Sequence, residues 1–193
     1  MEKAFYDLYD QNRQELGRTL EVGQIVPPDT YRLVVKAAIF NSEGKLLIHK
    51  ITANSQFQGL WSETLNNGVK HNETSLEALN RMLNEQLDLE PFTDLTPTFT
   101  LSTLSIFNDY YIIRQDVELN IITLKSNKQF RYATIDEIKE MIDQKEFVPL
   151  NKRYLDNLFY YNQGKLDKVS EVPACMISQK YQLDSFPVIV KSH

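Results

Sequence analysis

The segment that most constrains the fold of this chain is an amphipathic helix predicted between Thr74 and Asp88. Thr74 and Glu77 have the T-x-x-E spacing of a capping box, in which side chains satisfy the unpaired backbone N–H groups at a helix start. Leucines then recur at helical spacing, at positions 76, 79, 83 and 87, and form one apolar stripe. Because such a stripe must be buried, the helix is expected to pack against another layer of structure.

A second face of this helix carries polar and charged residues. Glu77, Arg81 and Glu85 follow one another at intervals of four residues, which predicts a ladder of ion pairs facing solvent. At about 100° per residue, Met82, Glu85 and Gln86 fall together on a flank roughly 105° from the centre of the leucine stripe. Periodicity alone indicates no more than an ordinary solvated helix face.

The rest of the chain alternates between strand and helix patterns. Residues 31–41 and 45–50 are predicted to be paired strands, because a polar Asn-Ser-Glu-Gly turn joins them. The other predicted elements are an N-terminal hairpin (4–10 and 16–22), a loop (61–69), a strand pair (95–107 and 110–119) that turns at Asn108 and Asp109, a strand (120–125), and helices at 135–142 and 151–162. This alternation predicts an α/β (α+β) fold in which a mixed sheet is sandwiched between helices.

The residues from Asn66 to Leu89 read N-N-G-V-K-H-N-E-T-S-L-E-A-L-N-R-M-L-N-E-Q-L-D-L, and this segment resembles a Nudix box. That motif consists of Gly, five residues, Glu, seven residues, and then Arg-Glu-aliphatic-x-Glu-Glu-x-Gly-aliphatic. When its first Glu is placed on Glu73, its Arg falls on Arg81 and the first Glu of its pair on Glu85. The resemblance therefore places the loop and helix of the family at residues 66–89.

Several positions of the box differ from the motif. The loop glycines are replaced by Asn66 and Asn67, and the glycine that ends the helix is replaced by Asp88. The Glu that follows the Arg is Met82, and the second Glu of the pair is Gln86. The resemblance is therefore to a degenerate Nudix box, in which Glu85 alone remains of the helix carboxylates.

The resemblance extends beyond the box. Residues 9–50 are similar to the start of the Nudix subgroup related to isopentenyl-diphosphate isomerase, which has an Asp-x-Asn-Arg hairpin, a long strand and an Asn-Ser-x-Gly turn. The later run F-R-Y-A-T-I-D-E-I-K-E-M-I resembles the segment that begins a late helix in that subgroup. The resemblance implies a Nudix fold with an N-terminal β-hairpin in one domain at residues 1–163, followed by a C-terminal extension at 164–193.

In function, the resemblance implies hydrolysis of nucleoside or other organic diphosphates with Mg²⁺ or Mn²⁺. The metal neutralises charge on the bridging oxygens and activates water. By position, Glu85 and Arg81 would be catalytic, and Glu85, Glu73 and the carbonyl oxygen of Gln86 would be the metal ligands. The thioether of Met82 is a poor ligand for a hard cation. Catalysis is therefore expected to be weak or lost.

No general base is evident in the sequence either. The segment S-N-K-Q-F-R-Y-A, before the late helix, carries Lys and Arg where several Nudix enzymes place an acidic residue. Isomerase chemistry is not expected, because the catalytic Cys of the related isomerases is missing after Trp61. The lone Cys175 lies far away in the C-terminal extension.

The residues before the helix indicate an anion site. Asparagine tolerates a positive φ better than most residues with a Cβ, so Asn66, Asn67 and Gly68 are predicted to form a loop whose N–H groups cradle a phosphate. Glu63 and His71 lie beside this loop in the sequence, where Glu63 could assist a metal and His71 could touch a ligand. The alternatives are a polar turn and a solvated histidine.

Composition limits the partners and the compartment. The chain has 21 Lys and Arg against 26 Asp and Glu, and its formal net charge of −5 argues against a general nucleic-acid role. A single cysteine and the absence of a long apolar run predict a cytoplasmic protein without a membrane span. The expected partner is a small phosphorylated molecule.

Assembly and function stay open at this stage. The V-P-A-C-M-I and F-P-V-I-V-K runs of the extension are predicted to dock as short strands or to exchange with a second subunit in a homodimer. Aromatic residues cluster at 98–111 and 154–161 and are expected in the core or at an interface. Three functions fit the sequence: a weakened diphosphate hydrolase, a non-catalytic binder or sensor of a phosphorylated metabolite, and a structural or interaction protein that keeps only the fold.

Overall fold

The computed structural model describes residues 3–52, 56–63, 65–126, 128–164 and 190–191. The strands are β1 (Phe5–Tyr9), β2 (Glu15–Glu21), β3 (Arg32–Phe40), β4 (Leu46–Lys50), β5 (Trp61–Ser62), β6 (Leu65–Gly68), β7 (Phe99–Thr103), β8 (Ile106–Arg114), β9 (Phe130–Ala133) and β10 (Val190–Lys191). The helices are α1 (Ser75–Leu87), α2 (Leu119–Ser126), α3 (Ile135–Asp143) and α4 (Lys152–Asn162).

A mixed sheet forms the centre of the molecule. Strand β3 pairs in parallel with β8 along its whole length, from Arg32 opposite Ile106 to Phe40 opposite Arg114. Its other edge pairs antiparallel with β6 and, at Phe40, with β4, so the predicted pairing of the strands at 31–41 and 45–50 is brief. Strand β7 pairs with β8 and with β10, while β5 and β9 pair with β4. The predicted N-terminal hairpin is confirmed as β1 paired with β2.

Helices cover both faces of this sheet. Successive side chains of β3 point to opposite sides, and most of them on either side are buried, so each face needs a covering layer. One face carries Val35 and Ile39, which share a core with α1 and with Ile122 of α2. The other face carries Ala38 and Phe40, which share a second core with α3 and α4. The predicted α/β (α+β) class, with a mixed sheet between helices, is therefore confirmed.

The start of α1 agrees with the sequence prediction. The Thr74 side chain accepts a hydrogen bond from the Glu77 N–H, and the Glu77 carboxylate accepts one from the Thr74 N–H. The helix ends at Asp88, which has a left-handed backbone with φ of 57°. Glycine adopts this conformation at the least cost, which explains why the motif has Gly at this position.

The predicted turn at Asn108 and Asp109 is wrong. Both residues lie inside β8, and the chain instead turns at Leu104, which has a φ of 34°. Polar residues can be buried in a strand when each is hydrogen-bonded. Asn108 donates to a carbonyl of β7, and Asp109 accepts from Arg13 of the hairpin.

The predicted strand at 120–125 is also wrong, because these residues belong to α2. Their β-branched side chains favour a strand, but Ile122 is buried in the core that α1 occupies, and α2 contacts α1. Tertiary packing therefore overrides local propensity at this point. Part of the predicted loop at 61–69 also becomes strand, as β5 and β6.

The aromatic clusters lie mainly in the core. Phe99 stacks on Tyr110 and on Tyr161, each with ring centroids 4.7 Å apart. Tyr160 is the exception and is 57% exposed. The stacked rings of Phe99, Tyr110 and Tyr161 join the sheet to α4.

Parts of the C-terminal extension lie outside the described residues, including the V-P-A-C-M-I run and Cys175. Val190–Lys191, from the F-P-V-I-V-K run, pairs antiparallel with β7. Among the residues that the structure describes, no helix is long and apolar enough to cross a membrane.

Candidate functional site

Arg81 and Glu73 form a fork-shaped ion pair between α1 and the segment before it. Arg81 Nε donates to Glu73 Oε1 at 2.7 Å, and Arg81 Nη2 donates to Glu73 Oε2 at 2.8 Å and to the Gly68 carbonyl at 3.0 Å. Burial by itself would raise the pKa of Glu73, but hydrogen bonds from Arg81 and from the Lys70 N–H lower it overall. The structure therefore brings these two box residues together and ties them to the end of β6.

The predicted ion-pair ladder along α1 is wrong. The Glu77 carboxylate instead accepts a hydrogen bond from the Thr74 N–H at 2.7 Å, as part of the capping box. Arg81 pairs with Glu73, which lies before the helix. Glu85 is exposed on the next turn. The pKa of Arg81 is raised, first by its hydrogen bond to Glu73 and also by the nearby charge of Glu85.

Met82 does not lie on the solvated flank where the helical wheel placed it. Its side chain is 0% exposed and belongs to the same core cluster as Leu79, Leu83 and Ile122. Helix α2, which the sequence does not predict, packs against α1 and widens the buried surface of the helix beyond the leucine stripe. Position 82 therefore points into the core.

Gln86 contacts a lysine from a distant part of the chain. Lys128 Nζ donates to Gln86 Oε1 at 2.7 Å. Burial lowers the pKa of Lys128, because desolvation disfavours the ammonium. Burial, followed by the charge of Lys128, lowers the pKa of the neighbouring His49 to about 4. An ammonium group thus lies against a side chain that the sequence predicts as a metal ligand.

Several of the predicted metal ligands are engaged by other groups. The carboxylate of Glu73 is held by Arg81, and the carbonyl oxygen of Gln86 is held by a lysine. Glu63 is buried on the α4 side of the sheet, where its charge acts on Lys36. Within the described ranges, no group of three or more His, Cys, Asp or Glu residues could hold a metal. This donor set does not fit Mg²⁺, which needs several oxygen ligands.

The predicted positive-φ loop at Asn66, Asn67 and Gly68 is wrong. These residues lie in β6 and pair antiparallel with β3, with Asn67 opposite Val35, and none of the three has a positive φ. In an extended strand the N–H groups point alternately to the two edges, so they do not converge on one anion. The backbone cradle expected from the sequence is therefore absent from this segment.

His71 has a structural partner that the sequence did not reveal. Its ring Nδ1 lies 2.6 Å from Asp7 Oδ1, and its backbone N–H donates to the Phe5 carbonyl at 2.8 Å. The Asn72 N–H donates to the other oxygen of Asp7 at 3.0 Å. His71 therefore docks the N-terminal hairpin onto the segment before α1.

A pocket of about 390 Å³ lies between β1 and strands β3, β6 and β8. It is lined by Tyr6, Arg32, Val34, Lys36, Asn66, Asn67, Gly68, Ile106 and Asn108. The β3 residues of this lining alternate with those of the α1 core, so the pocket opens on the sheet face opposite α1. The segment predicted to bind a ligand thus takes part in a pocket, but as a strand.

Two cations line this pocket. The Arg32 guanidinium lies over the ring of Tyr6, 4.9 Å from its centroid, and has no carboxylate partner among the described residues. Burial by itself would lower the pKa of Lys36, but the charges of Tyr110 and Glu63 outweigh it and raise that pKa. The charge of Lys36 is therefore partly balanced, and that of Arg32 is not. The signal for both was their spacing of four residues along one strand, which places them on the same face of the sheet.

Gly68 is required by a close approach between β6 and the hairpin. A Cβ placed on Gly68 would lie 2.7 Å from Tyr6 Cζ and 2.8 Å from Tyr6 Oη. We expect Gly68→Ala to displace Tyr6 and to reduce the free energy of unfolding by about 1–3 kcal/mol, the usual cost of overpacking. Urea denaturation checks this. In a Tyr6→Ala background the same substitution should cost little, and equal costs in both backgrounds would contradict the steric explanation.

The chain is similar to two proteins of Listeria. It is 30% identical over 160 residues to an uncharacterised Nudix hydrolase of Listeria monocytogenes, and 30% identical over 160 residues to one of Listeria innocua. Each match covers 80% of this chain and 92% of the relative. No protein-family model matches the sequence.

Among solved structures, the fold is similar to that of DR0079 from Deinococcus radiodurans, with a TM-score of 0.60 and 22% sequence identity. The match covers 74% of this chain and 91% of that protein. At this identity the likeness concerns the fold alone.

Proposed function

Because the chain belongs to the Nudix hydrolase family, we propose that it binds a phosphorylated small molecule and hydrolyses it weakly or not at all. The observation that carries this proposal is the donor set of the box. Diphosphate hydrolysis in the family uses a divalent metal, and such a metal needs several oxygen ligands. In this chain Met82 is buried, Gln86 and Glu73 are engaged by cations, and Glu85 is left as the exposed carboxylate.

The pocket supports the binding part of the proposal. The guanidinium of Arg32 presents several N–H donors in a fixed plane, a geometry that suits phosphate oxygens. Asn66 and Asn108 add amide groups at the wall, and the Tyr6 ring adds an aromatic surface. A volume of about 390 Å³ lies within the range of about 300–1,000 Å³ that is common for small-molecule sites.

Binding can be tested by thermal shift with inorganic pyrophosphate and ADP, in EDTA and in Mg²⁺, with adenosine as a control that lacks phosphate. We expect ADP to stabilise the protein in EDTA and adenosine to have little effect. Arg32→Gln should remove the stabilisation, and Arg18→Gln, on the exposed part of β2, should retain it. If no phosphorylated compound stabilises the protein under either condition, the binding proposal is wrong and a structural role is favoured.

The second candidate is a hydrolase with ordinary turnover, favoured by the Arg81–Glu73 pair and by Glu85. Turnover of ADP and of dinucleotides with Mg²⁺ or Mn²⁺ separates the two. We expect kcat to lie at least about a hundredfold below the ~1–10³ s⁻¹ of ordinary enzymes. A kcat inside that range that Glu85→Gln abolishes would show that the protein is a working hydrolase.

A further inference from the structure

The side-chain amide of Asn108 is held in one orientation at the wall of the pocket. Its Nδ2 donates to the Leu101 carbonyl at 3.3 Å and to Thr103 Oγ1 at 3.1 Å, and both partners belong to β7. A backbone carbonyl only accepts hydrogen bonds, so the amide atom that faces Leu101 must be the nitrogen. Both N–H groups of the amide are therefore used on β7, and Oδ1 is directed away from that strand.

The Oδ1 atom of Asn108 is an acceptor on the side of the pocket. Asn108 is 5% exposed and lines the pocket, with β7 on one side of its strand and β3 on the other. Among the residues that the structure describes, none donates a hydrogen bond to this oxygen. Polar atoms at such buried positions are nearly always hydrogen-bonded. The oxygen is therefore suited to a donor that a ligand brings.

Asn108 lies between the two cations of the pocket. In the parallel pairing of β3 with β8 it stands opposite Val34, with Arg32 two positions before Val34 and Lys36 two positions after it. Alternate residues of a strand share a face, so these side chains lie on one side of the sheet. From the spacing of strands and of residues along them, the Cα atoms of Asn108 and Arg32 are roughly 8 Å apart. A phosphate on Arg32 thus places the adjoining part of its ligand beside Asn108.

A hydroxyl group fits the space between Asn108 and Lys36. Lys36 Nζ lies over the ring of Tyr110, 5.4 Å from its centroid, and Tyr110 is on the same strand as Asn108. An ammonium only donates hydrogen bonds, and an amide oxygen only accepts them. A hydroxyl can donate to Oδ1 while it accepts from Nζ. An ionised phosphate oxygen has no proton to donate, and a cationic amine would be repelled by the two cations.

We propose that Asn108 selects a ligand with a hydroxyl group close to its phosphate, so that the pocket takes the phosphate ester of a polyol or sugar. This rests on the proposed binding of a phosphorylated molecule and adds the second group that the ligand must carry. Arg32 binds the phosphate, and Asn108 distinguishes a hydroxylated ester from an alkyl one.

A matched pair of ligands tests the proposal on the unmodified full chain. Glycerol 3-phosphate and n-propyl phosphate both carry a phosphate on a three-carbon chain, but only the first has hydroxyl groups. NMR titration in EDTA measures the two dissociation constants. We expect glycerol 3-phosphate to bind about three- to tenfold more tightly, the gain from one hydrogen bond. Equal dissociation constants would overturn the proposal.

Variants assign this preference to Asn108. Asn108→Leu removes the acceptor and should bind the two esters equally. Asn108→Asp keeps an acceptor, so it should retain the preference while its charge weakens the binding of both esters. Asn84→Leu, on an exposed position of α1, is the matched control and should behave like the unmodified chain. An undiminished preference in Asn108→Leu would mean that another residue recognises the hydroxyl.

A second readout applies if Asn108→Leu, which also loses two hydrogen bonds to β7, is unfolded by circular dichroism. The side-chain amide signals of Asn108, identified by their loss in Asn108→Asp, should shift further with glycerol 3-phosphate than with n-propyl phosphate. Equal shifts at saturation would contradict the contact.

Failure of the proposed function gives a different result. If no phosphorylated compound binds the unmodified chain, the phosphate site and the role of Asn108 are both wrong. If both esters bind equally and Arg32→Gln weakens both, the phosphate site stands and the role of Asn108 is wrong.

Discussion

Replacement of Arg13 by alanine is expected to reduce the free energy of unfolding by about 3–5 kcal/mol, because it leaves a buried carboxylate without its counter-ion. Asp109 is 0% exposed, and Arg13 binds both of its oxygens, at 2.8 and 2.5 Å. Thr100 and Ser75 donate to the same carboxylate at 2.7 and 2.6 Å, and the Tyr111 hydroxyl donates to Ser75 at 3.0 Å. The hydroxyl donors remain in the variant, but they do not neutralise the charge.

Loss of the Arg13–Asp109 ion pair should disturb the pocket as well as the core. Arg13 lies at the turn of the hairpin with a positive φ of 63°, so its bond to Asp109 also holds an unfavourable backbone conformation in place. The same hairpin carries Tyr6, which lines the pocket beside Gly68. A hairpin that is released from the sheet would therefore open the wall of the candidate site.

Urea or guanidinium denaturation of Arg13→Ala measures this effect. Arg18→Ala is the matched control, since Arg18 lies on the exposed part of β2, and it should change the stability by no more than about 0.5 kcal/mol. Combining Arg13→Ala with Asp109→Asn should recover part of the loss, because the buried group is then uncharged. A cost of less than about 1 kcal/mol for Arg13→Ala would mean that Asp109 does not depend on Arg13.

Local signals predicted three of the helices (α1, α3 and α4) and the hairpin well. α1 and α3 each begin with a capping box, formed by Thr74 with Glu77 and by Thr134 with Glu137. The two residues of each box are three positions apart, so the pattern can be recognised without tertiary information. The N-terminal hairpin and the α/β (α+β) architecture follow from patterns that are equally short in range. The Nudix box then identified the position of α1 in the fold through Glu73 and Arg81, which the structure joins.

The wrong predictions share a physical cause, namely contacts between segments distant in the sequence. Asn108 and Asp109 look like a turn, and only the distant Arg13 explains how Asp109 can be buried in a strand. Asn66 and Asn67 look like a loop, and their pairing with β3 depends on a register that no local pattern contains. The contact of Lys128 with Gln86 is of the same kind.

Met82 illustrates the limit of the helical wheel. The wheel orders residues around α1 correctly, but it does not tell how much of the circumference is covered. That extent depends on α2, whose residues were predicted as a strand, so the wheel assigned Met82 to a solvated flank. The sequence therefore located the box but could not tell which of its changed positions still face the site.

Met82→Glu is expected to destabilise the protein, whereas the box suggests that it would restore a metal ligand. If position 82 faced a metal site, Met82→Glu would restore a ligand and would be tolerated. Because Met82 is 0% exposed in the core beside Leu79 and Leu83, Met82→Glu should instead bury an unpaired carboxylate and cost about 3–5 kcal/mol at pH 7. Met82→Leu, the volume-matched control, should cost less than about 1.5 kcal/mol.

The pH dependence of Met82→Glu distinguishes a buried charge from a simple packing defect. Burial raises the pKa of a carboxyl group in the folded state above its unfolded value of about 4.3. The folded state then binds the proton more tightly, so the destabilisation should grow as the pH rises above about 4.3 and shrink below it. Denaturant titrations at pH 4 and pH 7, with Met82→Leu measured in parallel, check this. A cost that is equal at both pH values would point to packing alone, and a Met82→Glu protein as stable as Met82→Leu at pH 7 would place residue 82 in solvent.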